Sequence, residues 1–302
     1  MVEIIGIGAN VADTIAELPH FPTEDTKLRA LSTLRRGGGP CATGLVAASK
    51  LGHNCMFLGN LTDDGEGLFL KKDLEHYGVS TSLCETLPGY RSFSSQIWLS
   101  KEKSTRTIVF DRGTVPPLAL SDKQKAAIAK AKVLMVDGND LEAAIEGAKS
   151  ARANGVSVLY DAGGMYEGVE RLLPLCDILI PSEEFATGFT GAATPEEAAK
   201  TLFAQFHPQV VVVTCGKKGG IMVTQSETYT YPICPVEVVD SNGAGDVFHG
   251  AFAAAFCRNM DFKTACHFAS CVSALKCTGV GARENVPDYD TALAFMRKMK
   301  LL

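Results

Sequence analysis

DSNGAGDVFHGAFAAAF, residues 240–256, sets two glycines and an aspartate directly ahead of an apolar helix. Val247, Phe248, Ala251, Phe252, Ala255 and Phe256 give that helix a wide buried face. The first-turn N–H groups of a helix have no partner inside it. Gly243 and Gly245 carry no side chain to block those donors, and the helix dipole adds positive potential there. The turn is thus a candidate anion site suited to phosphate, with Gly243, Ala244 and Gly245 as its backbone and Asp246 at its edge. A carboxylate beside a bound phosphate is repulsive unless an alcohol stands between them. With an alcohol there, Asp246 accepts the hydroxyl proton while the N–H groups hold charge building on a transferring phosphoryl group. The plainer reading makes Asp246 a helix cap, a role aspartate fills readily. His249, three residues on, shares the helical face of Asp246 and reads as a packed or solvent-facing side chain within reach of it.

Upstream, short apolar runs alternate with longer amphipathic ones. Residues 2–8, 55–58, 133–136, 156–160, 178–180 and 210–213 are β-prone and apolar on both faces, as strands covered by helices on both sides should be. Between them, residues 140–154 place Leu141, Ala144, Ile145, Ala148 and Ala151 on one helical stripe, with Gly155 as the C-terminal stop. Thr194-Pro195-Glu196-Glu197 is a second helix start, with a cap, proline at the first position and acids in the first turn. This alternation predicts an α/β fold with a mostly parallel central sheet and helices on both faces. Residues 11–36 and 85–117 break the rhythm with polar, strand-like alternation, and are expected to form a small sheet lying over one edge of a single unit spanning 1–302.

The bulk numbers narrow the function. A chain of 302 residues with 46% hydrophobic and 21% charged residues is an ordinary globular protein. A net charge of -5 argues against nucleic acid as a partner, and no apolar run approaches a membrane span. The start, MVEIIGIGAN, lacks a basic n-region, and ten cysteines without a signal peptide fit a reducing cytoplasm. Cys257, Cys266, Cys271 and Cys277 have no C-x-x-C pair and read as small packed hydrophobes rather than zinc ligands. Gly6-Ile-Gly8 resembles a dinucleotide turn, but Val11 stands at the third glycine position, so it reads as a strand-end turn. No P-loop and no G-x-S-x-G occurs.

Two further glycine turns accompany the first. RRGGGPCATGLVAASKLG, residues 35–52, brings Gly37, Gly38 and Gly39 to the start of a small-residue helix. Backbone can approach a polyol there, with Thr43 adding a hydroxyl, or the glycines serve only a tight strand–helix turn. Thr214-Cys215-Gly216-Lys217-Lys218-Gly219 follows the strand at 210–213, and either borders a nucleotide or makes a hairpin.

Together, in this order and over essentially the whole chain, these sites resemble the PfkB, or ribokinase-like, carbohydrate kinases. Asp240-Ser241-Asn242-Gly243-Ala244-Gly245-Asp246-Val247-Phe248 is similar to the family signature D-T-x-G-A-G-D-x-F, with Ser241 for Thr, and Gly38-Gly39, Ala42-Thr43 and Leu51-Gly52 resemble the other. The resemblance implies transfer from ATP, with Mg2+, to a sugar hydroxyl in the cytoplasm, with Asp246 as base and Gly243, Ala244 and Gly245 as anion hole. It implies Asp13, Gly38, Gly39 and Thr43 at the sugar, and Thr214, Gly216, Gly219, Ser182 and Ser270 at the nucleotide. It also implies a β-sheet lid that pairs between subunits of a homodimer.

Within the family the motifs resemble ketohexokinases and fructokinases, with Asp25 and Arg106 offered to a ketohexose. Ser182-Glu183-Glu184-Phe185 departs from the family's N-x-x-E, so Glu183 or Glu184 would take the magnesium role, or the phosphates and water would hold the ion. Residues 276–281 with Asp240 and Asn242 resemble a monovalent-cation loop, implying K+. Lys27, Arg29 and Arg91 in the lid segments are the residues that would meet an anionic acceptor such as a sugar phosphate or sulfosugar; the same scaffold also serves nucleoside kinases or a non-catalytic sugar sensor.

Overall fold

A computed structural model describes residues 1–103 and 105–302; Ser104, inside the second lid segment, lies outside the described residues. The central sheet has nine strands. In spatial order they are Thr228–Tyr231, Gly220–Val223, Val210–Thr214, Ile178–Pro181, Ser157–Ala162, Val133–Val136, Ile4–Ile7, Cys55–Leu58 and Val79–Ser80. From Val79–Ser80 across to Val210–Thr214 every pairing is parallel; the last two strands return antiparallel. All six expected strands are present, and their side chains are buried on both faces because helices cover both.

One apolar layer packs helices Pro40–Lys50, Ala244–Cys257 and Phe262–Lys276 on one face. The other packs Leu141–Ala153 and Pro195–Phe206 on the opposite face. The helix start read at Thr194 is as expected, its hydroxyl accepting from the Glu197 N–H at 3.2 Å. Helices Pro40–Lys50 and Ala244–Cys257 approach so closely that a Cβ on Gly250 would collide with the Gly44 carbonyl. That contact brings the glycine turn at 37–39 beside the one at 243–245.

The two irregular segments form a separate four-stranded, lid-like sheet, ordered Ser32–Gly38, Val11–Leu18, Ser94–Ser100 and Thr105–Asp111. In its register Asp13 lies opposite Ser95, and Ile15 opposite Ile97. The outer strand, Thr105–Asp111, is exposed along its whole length. All ten cysteines are free, and the four near the C-terminus are buried, as packed hydrophobes should be.

Candidate active site

The parallel strands end on one side in a row of carboxylates. Asp161 ends its strand region, Asp137 follows Val133–Val136, Asp13 rises from the lid, and Asp246 stands in the first turn of Ala244–Cys257. This is the carboxyl end of a parallel sheet, where open α/β folds bind ligands. The turn is shaped by Gly243, whose φ of 73° is left-handed and whose Cβ would strike Ala282. Above Gly245 there is open space. The Ala244 N–H closes the turn on the Ser241 carbonyl at 3.2 Å. Among the described residues the N–H groups of Gly245 and Asp246 have no protein partner, so they are the donors left for an anion.

Asp246 makes no side-chain capping bond, so the cap reading does not describe it. Burial pushes its carboxyl up to about 7, Asp161 repels it further, and His249 pulls in the opposite sense. His249 is buried, with Nδ1 2.6 Å from the Gly245 carbonyl oxygen and Nε2 2.8 Å from that of Ile180. Its Nδ1 also lies 3.2 Å from Asp161 Oδ2, an oxygen with no hydrogen bond of its own. Burial holds the ring below the ordinary imidazole value, against the two carbonyl oxygens and the Asp246 and Asp137 carboxylates, which favour the charged form. Asp137 accepts from the Ala9, Cys41 and Asn139 N–H groups at 2.8, 3.0 and 2.9 Å, pinning the strand Ile4–Ile7 to the start of Pro40–Lys50.

The expected sugar residues divide. Asp13 is buried, accepts from Ser95 Oγ at 2.6 Å, and is raised by that burial. A Cβ on Gly38 would collide with its carboxylate, so glycine is needed at that position. Gly39, with φ of 91°, packs against the Ala9 carbonyl. Thr43 is buried and its hydroxyl accepts from Arg283 Nε at 3.3 Å, so this hydroxyl is already engaged. Asp25 lies in an exposed turn with φ of 57°, and Arg106 is exposed on the outer lid strand; neither lines either of two cavities, of about 690 and 300 Å³.

The expected nucleotide residues converge. Thr214, Gly216, Gly219 and Ser270 line one cavity of about 690 Å³ together with Ala244 and Gly245. Residues 216–218 are also the turn of the hairpin Val210–Thr214 to Gly220–Val223, as the hairpin reading expected. Ser182 instead caps the helix Glu183–Thr190, accepting from the Phe185 N–H at 3.1 Å. Phe185 is core, packed on Tyr160 and Phe189, so no side chain at 185 reaches the site. Glu183 pairs with Lys218 at 3.1 Å and Glu184 is exposed. Among the described residues no three His, Cys, Asp or Glu side chains form a metal cage.

Sequence reasoning missed three groups here, Asp137, Asp161 and Arg283, and read Lys276 only as the start of a monovalent-cation loop. Arg283 is buried and donates to Asp73, to the Gly38 carbonyl, to Asn10 Oδ1 at 3.3 Å and to Thr43. It thus underpins the glycine turn beside Asp13. The two aspartates carried a readable signal, since each directly follows an apolar parallel-strand run.

The model of the pfkB family carbohydrate kinases matches residues 1–289. The chain belongs to the PfkB family. PfkB kinship over the whole chain makes it an ATP-dependent carbohydrate kinase of ribokinase-like fold. The ribokinase of Haemophilus influenzae is 26% identical, covering 96% of this chain and 97% of that protein. An ATP-dependent 6-phosphofructokinase of Thermoanaerobacterium thermosaccharolyticum is 28% identical, covering 87% and 86%. The structure of Arabidopsis thaliana ribokinase complexed with ribose and ATP superposes with a TM-score of 0.88 at 25% identity, covering 98% of this chain and 99% of that one. The leaning of the motifs toward ketohexokinase finds no support in these PfkB relatives, which act on different acceptors at similar identity. No helix among the described residues is long and apolar enough to cross a membrane.

Proposed function

We propose that this protein transfers the γ-phosphoryl group of ATP to a sugar hydroxyl, with Asp246 as the base. The observation that carries the reading is the position of Asp246. It directly follows Ala244 and Gly245, which line the cavity of about 690 Å³ that we assign to the nucleotide, and it feels the charge of the Asp13 carboxylate, which we assign to the sugar. Asp246 accepts the hydroxyl proton as the alcohol oxygen attacks the γ-phosphorus, and ADP leaves with the bridging oxygen's electrons. The open N–H groups of Gly245 and Asp246 hold the charge on the transferring group. Magnesium, when bound, neutralises charge on the phosphates. With Glu183 tied to Lys218 and no cage among the described residues, the phosphates and water would supply most of its ligands.

For the acceptor, we read a sugar carrying an anionic substituent in preference to a neutral ketohexose. A second cavity, of about 300 Å³, is lined by Asn10, Asn60, Ser92, Asn139 and Arg112, and by Asp140 and Glu142, whose carboxylates are engaged by the Leu118 N–H and by Arg171. Arg112 stacks near Phe93 and Tyr166 and has no carboxylate partner among the described residues. Arg91, by contrast, is spent on Asp111 at 2.9 Å. The Arg112 guanidinium makes only long contacts of 3.4 Å, to the Asn139 backbone and side-chain oxygens, and such a planar fork suits a phosphate or sulfonate oxygen pair. We also propose that two copies pair through their lids, since Ile108, Val109 and Phe110 are 45%, 57% and 61% exposed on the outer strand.

The test is ADP release from ATP and magnesium with fructose, ribose, adenosine, fructose phosphates and a sulfosugar side by side. ADP formation with none of them, while sugars still raise the melting temperature, would favour a non-catalytic sensor. Turnover on fructose equal to that on the anionic sugars would remove the role given to Arg112.

A further inference from the structure

Lys276, the last residue of the helix Phe262–Lys276, has no solvent exposure at all (0%). Its ammonium donates to the backbone carbonyl oxygen of Asp240 at 2.9 Å and to that of Asn242. Among the described residues no carboxylate comes within ion-pair distance of it. The Asp240 carboxylate is used otherwise, accepting from the Asn242 N–H at 2.8 Å and the Gly281 N–H at 2.9 Å. Burial of an ammonium is costly unless its hydrogen bonds are made. Here carbonyl oxygens make them, the same ligands that replace water around a monovalent cation. The resemblance of this loop to a potassium site therefore meets an obstacle: the oxygens of Asp240 and Asn242 are already taken by a charge the chain carries itself.

The position matters because Asp240 and Asn242 lead directly into Gly243 and the open N–H groups of the anion turn. On the other side, Ser273, one turn before Lys276, donates to the Ala244 carbonyl at 2.7 Å. We propose that Lys276 is a tethered cation: its ammonium fills the carbonyl cradle behind the anion turn, holds residues 240–243 in shape, and makes turnover independent of an added monovalent cation. The proposal rests on the phosphoryl-transfer reading of that turn, and Lys276 acts as a positioning residue, touching neither substrate.

The test begins with the wild-type protein in potassium, sodium and tetramethylammonium chloride at equal ionic strength. Rates within about twofold of one another are expected; activation above about fivefold by potassium over tetramethylammonium would overturn the proposal. Lys276→Ala should lose about 10²-fold in turnover through misplacement of the turn. Potassium or ethylammonium, but not tetramethylammonium, should return part of that rate and raise the variant's melting temperature, leaving the wild type's unmoved. A folded variant that neither ion restores, in rate or in melting, would show a merely structural lysine. Lys276→Gln, which donates to the same oxygens without charge, serves where alanine does not fold, and should stay impaired about tenfold with no response to added cation. Should no sugar elicit ADP from the wild type, the kinase reading fails, and the melting measurements alone decide the lysine.

Discussion

Replacing Asp246 by asparagine should make the protein slower and more stable at once. Folding raises this carboxyl from 3.8 to about 7, chiefly by burial and then by Asp161. The native state therefore holds the proton more tightly than the unfolded chain does. Stability is greatest below about 3.8, declines as the pH climbs through about 7, and carries the whole penalty above that. At about 1.36 kcal/mol per pH unit, the penalty is at most about 4 kcal/mol. The carboxylate is partly exposed to the cleft, and water there screens the charge, so about 2 kcal/mol is expected. Asparagine carries no charge to penalise. At pH 8 Asp246→Asn should thus melt about 3 °C higher than the wild type, given the size of the chain, and the gap should narrow toward pH 5. Over the same range turnover should fall on the order of 10²–10⁴-fold, because the base is gone. The assays are calorimetric melting at pH 5 and 8, and sugar-dependent ADP release. A variant no more stable than wild type at pH 8, or one within threefold of its turnover, would refute the electrostatic argument or the base assignment respectively.

Three further outcomes follow from the same geometry. His249→Asn removes the one group that lowers the Asp246 carboxyl, so the acid limb of the kcat/KM profile should move up by about 0.5–1 pH unit, with the rate at pH 9 within about threefold of wild type; an unmoved limb would deny His249 its charge. Gly38→Ala drives a methyl into the Asp13 carboxylate and should raise KM for the sugar about 10²-fold while leaving KM for ATP unchanged, so equal effects on both would place Asp13 away from the sugar. Phe110→Glu charges the exposed outer strand of the lid and should convert a dimer to monomer in sedimentation, whereas an unaltered mass would move the interface elsewhere.

The fold was legible because its signals are local. Runs such as Val133–Val136 and Val210–Thr214 are apolar on both faces, which only a doubly covered parallel sheet satisfies. The lid strands alternate instead, with Ser95 and Ile97 buried and Gln96 and Trp98 turned outward. The shape of the turn at 243–245 was legible too, since Gly243 needs its left-handed φ and a glycine leaves the space above residue 245 open. The groups that escaped are those whose partners lie far away in sequence. Arg283 meets Asn10 and Gly38 across more than two hundred residues, and Lys276 meets Asp240 across 36. Lysine and arginine are seldom fully buried, so each reads as surface until the chain closes round it. Phe185 misled in the opposite sense: counted against a family motif it looks like a lost metal ligand, yet it is a core side chain stacked on Phe189.

The burial of those cations has a common cause. Asp13, Asp137 and Asp161 all act on Asp246, and four carboxylates gathered where strands end would repel one another and any phosphate brought among them. The chain opposes this with Arg283 beneath Asp13 and Lys276 behind the glycine turn at 243–245, and it sets the His249 ring 3.2 Å from Asp161 Oδ2. None of the three lines the cavity proposed for the nucleotide, so each can offset carboxylate charge without competing for the phosphates. Burial raises every carboxyl in the cluster, Asp161 well above the ordinary carboxylate range and Asp246 to about 7. A base so placed takes a hydroxyl proton readily once the alcohol oxygen begins to bond to phosphorus, and returns it to solvent when the product leaves. Asp137, saturated by three backbone N–H groups, is a structural tie, and the repulsion it exerts on Asp246 is part of what sets that base.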